Sequence, residues 1–429
     1  MLRKVFRVAA IWSVTAVYVL AQPATNLLTL DDCIRLAQSA PSAVSLARQQ
    51  TAITRYGLSQ ARAGFLPQAH LTNTYAYNSP QIDHPETFSF VALNGIREYT
   101  SLFTIGQELD TSGKLRATLA RARADQQAAA ANLGLAQRDL KRAVTAAYYH
   151  LLLARRLVQV ARDALADAQS FEGRAKLLAQ NGEAAQADVV KASSQVAVLE
   201  QAVKAAELET QVANHDLASF WTTAVTDPLP LVDVFEQTAP SPDTVSQTQA
   251  NAPFMRRLEF NFLEAQRRGF LADSRRARAD LFPQASLVFE YGLDALQARI
   301  RDRGYAAFVN LNVPVFDWFK SLSASRQFQQ EAQQVTTNRQ IAERTFSREY
   351  QNALAGVKMI YAQISLTQSQ VSLSEENLRL SRLRYEGGEG SALDVVAAQN
   401  QLAQARTSYY STVANYLNAR ADLEVASGQ

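Results

Sequence analysis

Long stripes of apolar residues are the dominant pattern along this chain. Apolar positions recur at alternating steps of four and three from Leu115 to Ala143, over 189–220 and over 398–423. Spacing of this kind predicts α-helices that pack along a seam, as in a coiled coil. A helix from Lys114 to about residue 180 would be on the order of 100 Å long. With so thin an apolar stripe, such a helix needs neighbours along its whole length.

Four shorter stretches alternate apolar and polar residues with a period of two, which predicts β-strands. Each is about 10 residues long, the length of a tilted strand in a membrane barrel, and aromatic residues lie near the ends as in an interfacial girdle. An amphipathic hairpin that covers the helices would show the same alternation, so both interpretations stay open. The apolar positions are Ala69, Leu71, Tyr75 and Tyr77; Tyr99, Phe103 and Ile105; Ala285, Leu287, Phe289 and Tyr291; and Tyr305, Ala307, Val309, Leu311 and Val313.

The chain also contains an internal duplication. Residues 61–69 read ARAGFLPQA and residues 277–285 read ARADLFPQA, and Asp-Val-Val follows a glycine-containing turn at both Asp188 and Asp394. Self-similarity in the same order indicates a repeated structural unit. A proline-rich linker, 226–242, is predicted to separate a first repeat at 22–225 from a second at 243–429.

Each repeat is predicted to contain a short helix, a β-hairpin and a long helical hairpin. Proline is absent between residues 86 and 227 and after residue 314, which leaves both regions free to form long helices. The predicted β-hairpins span about 66–109 and about 282–315, and the predicted helical hairpins span about 114–222 and about 320–425.

Residues 1–21 have the pattern of a signal peptide. Arg3, Lys4 and Arg7 precede an apolar stretch, and cleavage is expected after Ala21. The alternative is an anchoring transmembrane helix, for which the apolar stretch is short. Removal of these residues takes away three positive charges and lowers the formal net charge from +3 to 0. The charge therefore gives no reason to expect nucleic-acid binding.

No pattern of catalytic or metal-binding residues is found. The four histidines, His70, His84, His150 and His215, are scattered, and the single cysteine, Cys33, excludes an internal disulfide. The sequence has no glycine-rich phosphate loop and no nucleophile elbow. We therefore predict no enzymatic activity, no catalytic residue, no cofactor and no metal site.

Four strands are too few to close a membrane barrel, since bacterial barrels begin at about eight strands. Lipid does not tolerate an unpaired sheet edge, so the missing strands must come from other copies of the chain. Three copies related by a rotation axis would supply twelve strands, and the same rotation would give the long helices their missing neighbours.

The ordered set of features resembles the TolC-like outer-membrane efflux protein family, also called outer membrane factors. Phe65-Leu66-Pro67 and Leu281-Phe282-Pro283 precede the two predicted hairpins, and the termini at 28–37 and 421–428 also look like the ends of that family. The resemblance implies a mainly α fold with a small β part. A homotrimer would form a twelve-stranded transmembrane β-barrel in the cell outer membrane and a twelve-helix α-helical barrel that projects into the periplasm.

The resemblance also implies the function of the channel and its partners. The trimer would conduct substrate passively, in a tripartite efflux pump or a type I secretion system. Its partners would be a periplasmic adaptor (membrane fusion) protein, an inner-membrane transporter and outer-membrane lipid.

The same resemblance assigns candidate site residues at the tips of the two helical hairpins. Asp188 and Asp394 would lie near the periplasmic constriction, although Ala397 stands where the family has a second aspartate. The alternative is that both are acids favoured at a helix N-terminus. The residues that would dock the adaptor are Asn181, Gly182, Glu183, Gly387, Gly388 and Glu389.

Two other classes of protein share some of these features. A periplasmic coiled-coil scaffold could have the same helices, with hairpins that never enter lipid. A periplasmic adaptor has one helical hairpin flanked by β-rich domains, and the internal duplication contradicts that arrangement.

Overall fold

The computed structural model describes residues 27–80, 82–83, 96–235 and 252–428. The predicted signal peptide, 1–21, and residues 236–242 of the predicted linker lie outside the described residues. In chain order the helices are α1 (Leu30–Ser39), α2 (Ala43–Ala63), α3 (Lys114–Gln180), α4 (Gln186–Ala218), α5 (Leu258–Ala279), α6 (Lys320–Glu386) and α7 (Ala392–Ala426). The strands are β1 (Gln68–Tyr77), β2 (Arg97–Leu109), β3 (Gln284–Ala295) and β4 (Gly304–Asn312).

The four predicted strands are confirmed, and they form one antiparallel sheet in the order β1-β2-β3-β4. Their register sets Leu71 opposite Phe103, Phe103 opposite Tyr291 and Tyr291 opposite Tyr305. Side chains that lie directly opposite share a face of the sheet, so the predicted apolar positions all lie on one mainly apolar face. The polar pair of Asn73 and Ser101 interrupts this face, and the Ser101 hydroxyl donates to the Asn73 side-chain oxygen at 2.7 Å. The rings of Tyr75 and Tyr99 lie 4.9 Å apart on the same face.

The helices form a layer with two free edges. α3 packs against α2, α4, α5 and α7, whereas α6 packs against α5 and α7. As a result, α2 and α4 lie along one edge of the layer and α6 lies along the other. α3 and α6 each have 67 residues, so each is about 100 Å long at 1.5 Å per residue.

The structure corrects one part of the predicted seams. The positions of the two later seams, 189–220 and 398–423, are buried or half-buried. On the first seam, however, Ala143 is exposed, and the buried residues include Ala117, Ala124 and Val144. The reason is that α2 covers one side of this part of α3 and α5 covers another, so the buried positions do not follow a single stripe.

The described part of the linker is held against the helices by polar contacts. Leu28 and Leu231 form a parallel bridge, and the Tyr148 hydroxyl donates to the Val232 carbonyl at 2.8 Å. The Asn214 amide group donates to two carbonyls and accepts from the Leu229 N–H at 3.0 Å. Cys33 is buried beneath this region, and burial raises the pKa of its thiol to about 11. This thiol is therefore protonated and unreactive.

The segment between β4 and α6 has an unusual backbone. Trp318 and Phe319 have φ values of 54° and 61°, in the left-handed region. Side chains other than glycine occupy this region at a cost of about 1–2 kcal/mol per residue. At the start of α3 the corresponding left-handed residue is Gly113, with φ 81°, which has no side chain to clash.

Candidate functional site

The two helical-hairpin tips close with the same backbone motif. In the first tip the N–H of Gly182 donates to Ala179 at 3.1 Å and that of Glu183 donates to Leu178 at 2.8 Å. In the second, Gly388 and Glu389 donate to Tyr385 and Arg384 in the same pattern, at 3.1 and 2.9 Å. These paired bonds define a Schellman motif, which requires a left-handed residue after the helix. Glycine supplies it in both tips, with φ of 81° at Gly182 and 76° at Gly388.

All six predicted docking residues lie in these two turns, and all six are exposed. They therefore form two chemically similar surfaces, one at each tip, each with one glutamate and a compact backbone. A compact, exposed tip with few side chains can fit into a groove on another protein.

The two returning helices begin differently, although the tips are alike. Ser391 caps α7: its hydroxyl accepts from the Asp394 N–H at 3.2 Å, and the Asp394 carboxylate accepts from the Ser391 N–H at 3.1 Å. This is a capping box. In the first repeat Ala185 occupies the equivalent position and makes no side-chain cap. Asp188 instead lies 3.6 Å from the ammonium group of Lys191.

The two aspartates consequently have different environments. Hydrogen bonds from the backbone and side chain of Ser391 lower the pKa of Asp394, which remains exposed and ionised. Asp188 is half-buried, and its charge acts on Tyr385 beside the second tip. The geometry of Asp394 thus agrees with a helix N-terminal acid, and its exposure also leaves the carboxylate available to solvent and ions.

Contacts between the two hairpins were not predicted from the sequence. The rings of Phe171 and Tyr385 meet edge to face, with centroids 5.1 Å apart. Arg174 forms an ion pair with Glu386, and Arg382 approaches Asp167 at 3.1 Å. These contacts join the C-terminal parts of α3 and α6 over several turns, so the two tips are held together within one chain.

Tyr385 has a distinctive position among these residues. It is only 6% exposed, and the described residues supply no hydrogen-bond partner for its hydroxyl. Burial, with a smaller contribution from the charge of Asp188, raises the pKa of this hydroxyl. The only sequence signal was its place, two residues before the Gly387-Gly388 turn.

The remaining surfaces of the described chain offer little for other chemistry. No cluster of three metal-ligating side chains is present among the described residues. None of the helices in the described ranges combines the length and apolarity needed to cross a membrane.

Comparison with known proteins gives one family and several related structures. Residues 34–223 and 245–429 match the profile of the family described as "Outer membrane efflux protein". Nodulation protein T of Rhizobium leguminosarum bv. viciae is 24% identical over 376 residues, which is 85% of this chain and 75% of that protein.

Among solved structures, the outer membrane protein VceC of Vibrio cholerae has a TM-score of 0.81 at 16% identity, covering 93% of this chain and 96% of that one. The open state of the Neisseria gonorrhoeae MtrE outer membrane channel has a TM-score of 0.79 at 19% identity, covering 93% and 88%. At such identities these structures establish the fold.

Proposed function

Because this chain belongs to the outer membrane efflux protein family, we propose that it forms the trimeric channel of a tripartite efflux pump or a type I secretion system. The protein resides in the outer membrane, and its helical part projects into the periplasm. The family and the fold are those of channels and not of enzymes. In this role three copies of the chain would form the channel, substrate would pass through it passively, and partner proteins would dock at the tips.

The observation that supports a trimer most directly is that both layers of the chain end in unpaired edges. β1 and β4 each pair with one neighbour among the described strands. On one edge of the helical layer, α6 exposes an apolar residue every seven positions, and Leu373 is 72% exposed. These residues are Met359, Leu366, Leu373 and Leu380.

The opposite edge of the helical layer carries a second exposed apolar set, on α4. Its members are Val190, Val198, Leu208 and Val212. Two different surfaces that fit each other head to tail generate a ring when the rotation closes. Pairing β4 of one copy with β1 of the next would complete the sheet by the same rotation. The seven-residue spacing of the exposed set on α6 is typical of helices that pack in a coiled coil.

The two faces of the sheet suit a barrel that surrounds an aqueous path. The apolar face suits lipid, and the opposite face carries polar groups such as Thr100, which donates to Asp294 at 3.2 Å. Outward apolar and inward polar residues alternate in this way along the strands of membrane channels. No nucleotide-binding motif is present in the sequence, so energy for transport would come from an inner-membrane transporter. A periplasmic adaptor would link that transporter to the tips at Gly182 and Gly388.

Membrane fractionation with unheated gel electrophoresis tests the trimer and its location together. We expect the mature protein in the outer-membrane fraction, as a species three times the monomer mass that heating converts to monomer. In planar bilayers the same material should form discrete channels. A monomer in the soluble periplasmic fraction would instead support the coiled-coil scaffold.

The role of Asp394 in conduction can be separated from its role as a cap. We expect Asp394→Ala to change single-channel conductance or block by divalent cations, because it removes three carboxylates from the constriction of the proposed trimer. Ser391→Ala is the matched control: it also breaks the capping box, at about 0.5–2 kcal/mol, but leaves the carboxylate in place. If the two variants conduct alike and like the unmodified channel, Asp394 serves only as a helix N-terminal acid.

A further inference from the structure

Three aromatic rings cluster on the outside of the chain where β4 leads into α6. The ring of Phe316 lies 4.9 Å from that of Trp318 and 6.0 Å from that of Phe319, measured between centroids. All three are well exposed, and Trp318 is 83% exposed. The neighbouring Val315 is also almost fully exposed. We call Phe316, Trp318 and Phe319 the junction cluster.

The fold by itself does not require aromatic residues at this junction. Asp317 accepts a hydrogen bond from the Ser321 N–H at 2.9 Å, as Asp110 does from the Leu115 N–H at 2.8 Å in the first repeat. The first repeat makes its turn with Thr111-Ser112-Gly113 and has no ring there. In the second repeat, two bulky residues occupy left-handed backbone conformations instead. Backbone strain of this kind is concentrated at functional sites, which makes this junction a candidate for one.

The junction cluster continues the apolar face of the sheet. Leu311 and Val313 are exposed on the same stretch of chain, and Tyr305 lies at the opposite end of β4. Eight residue steps from Tyr305 to Val313 span about 26 Å. A strand tilt of about 40° reduces this to roughly 20 Å, so the residues just beyond Val313 reach the edge of an apolar band about 25 Å tall.

Tryptophan and phenylalanine at this level suit the boundary between acyl chains and headgroups. Tryptophan prefers that boundary because its ring is apolar and its indole N–H is polar. Lys320, which is exposed and next to the cluster, can extend its ammonium group toward lipid phosphates. We propose that Phe316, Trp318 and Phe319 form a lipid-binding anchor in the periplasmic leaflet of the outer membrane, with phospholipid as the ligand. The inference rests on the sheet being the membrane-inserted part of the proposed channel.

Tryptophan fluorescence tests this anchor directly, because the sequence holds few tryptophans. Trp12 lies in the predicted signal peptide, which leaves Trp221 and Trp318 in the mature chain. The Trp221→Phe variant therefore reports on Trp318 alone. Reconstituted in phosphatidylcholine vesicles, it should show blue-shifted emission and several-fold stronger quenching by lipid brominated near the headgroup than by lipid brominated near the chain end. The Trp318→Phe variant, which keeps the half-buried Trp221 in the helical part, should be quenched by neither lipid.

Two results would overturn the anchor while leaving the channel intact. Emission at the wavelength of a water-exposed tryptophan, without quenching by either brominated lipid, would show that Trp318 lies in the aqueous solvent. Blue-shifted emission without quenching would mean that a neighbouring copy of the chain covers the ring. Unheated gels and conductance of the same samples report whether the trimeric channel itself has formed, so its failure is seen separately.

A glycine substitution separates lipid anchoring from folding. Trp318→Gly relieves the left-handed strain, so the trimer should be at least as heat-stable in detergent as the unmodified trimer. Alkaline extraction should nevertheless release more of this variant from vesicles, because the interfacial ring is gone. Equal extraction of both proteins would show that Trp318 does not anchor the barrel.

Discussion

Replacing both Leu366 and Leu373 with glutamate is expected to convert the trimer to monomers. Both leucines lie on the exposed seam of α6, which none of the helices within the described ranges covers. Full burial of a leucine contributes about 1.5–3 kcal/mol, so the pair would contribute about 3–6 kcal/mol at each interface of the proposed ring. Glutamate at these positions would in addition bury unpaired carboxylates in an interface that excludes water, which costs further free energy. Unheated gel electrophoresis and light scattering in detergent measure the result.

Two controls make this expectation specific to the seam. Leu366→Met with Leu373→Met keeps an apolar side chain of similar volume and should retain the trimer. Gln368→Glu adds a charge to the same helix away from the seam and should also retain it. A heat-dissociable trimer in the double-glutamate variant would mean that copies of the chain do not meet along α6.

Removing the guanidinium of Arg257 is expected to cause a large loss of stability in the helical layer. Arg257 is 7% exposed and binds Glu259 at 2.7 Å and Glu349 at 2.6 Å. Its guanidinium also lies over the Phe346 ring, 3.7 Å from the centroid. Loss of one partner from a buried pair costs about 3–5 kcal/mol, and the partial exposure of Glu349 reduces this to about 2–4 kcal/mol for Arg257→Met. Thermal unfolding followed by circular dichroism in detergent measures it.

An exposed ion pair provides the matched control. Arg35 pairs with Asp32 on the surface of α1, with 76% of the arginine side chain exposed. Exposed pairs contribute about 0–1 kcal/mol, so Arg35→Met should leave thermal unfolding nearly unchanged. Equal effects of the two substitutions would show that burial of the Arg257 network adds nothing to stability.

The same network predicts how stability depends on pH. Burial alone would raise the pKa of Glu259, but hydrogen bonds from Arg257 and Arg138 outweigh it, and the net pKa lies below the usual value of 4.5. A lowered pKa means that the stabilisation is complete above 4.5 and is lost as the pH falls through the lower, folded-state pKa. Thermal stability should therefore fall below pH 4.5, and Arg257→Met should show less of this fall.

The candidate tips illustrate how far sequence reasoning could go. The glycines of both tips were identifiable because a helix that ends and returns needs a left-handed residue, and Gly182 and Gly388 supply it. The capping box at Ser391 is also a local signal, since its two partners lie three residues apart. The Phe171–Tyr385 and Arg174–Glu386 contacts had no such signal, because each joins residues more than 200 positions apart.

The types of the elements, their order and their apolar faces follow from local patterns in the sequence. Helix and strand periods, proline-free runs and glycine turns are properties of neighbouring residues, so they can be recognised without a structure. Packing in three dimensions makes two helices share the first seam of α3, sets Arg257 over the Phe346 ring and gives Trp318 a left-handed backbone. These features depend on the distance and angle at which separate elements pack, and periodicity along one element carries no information about either.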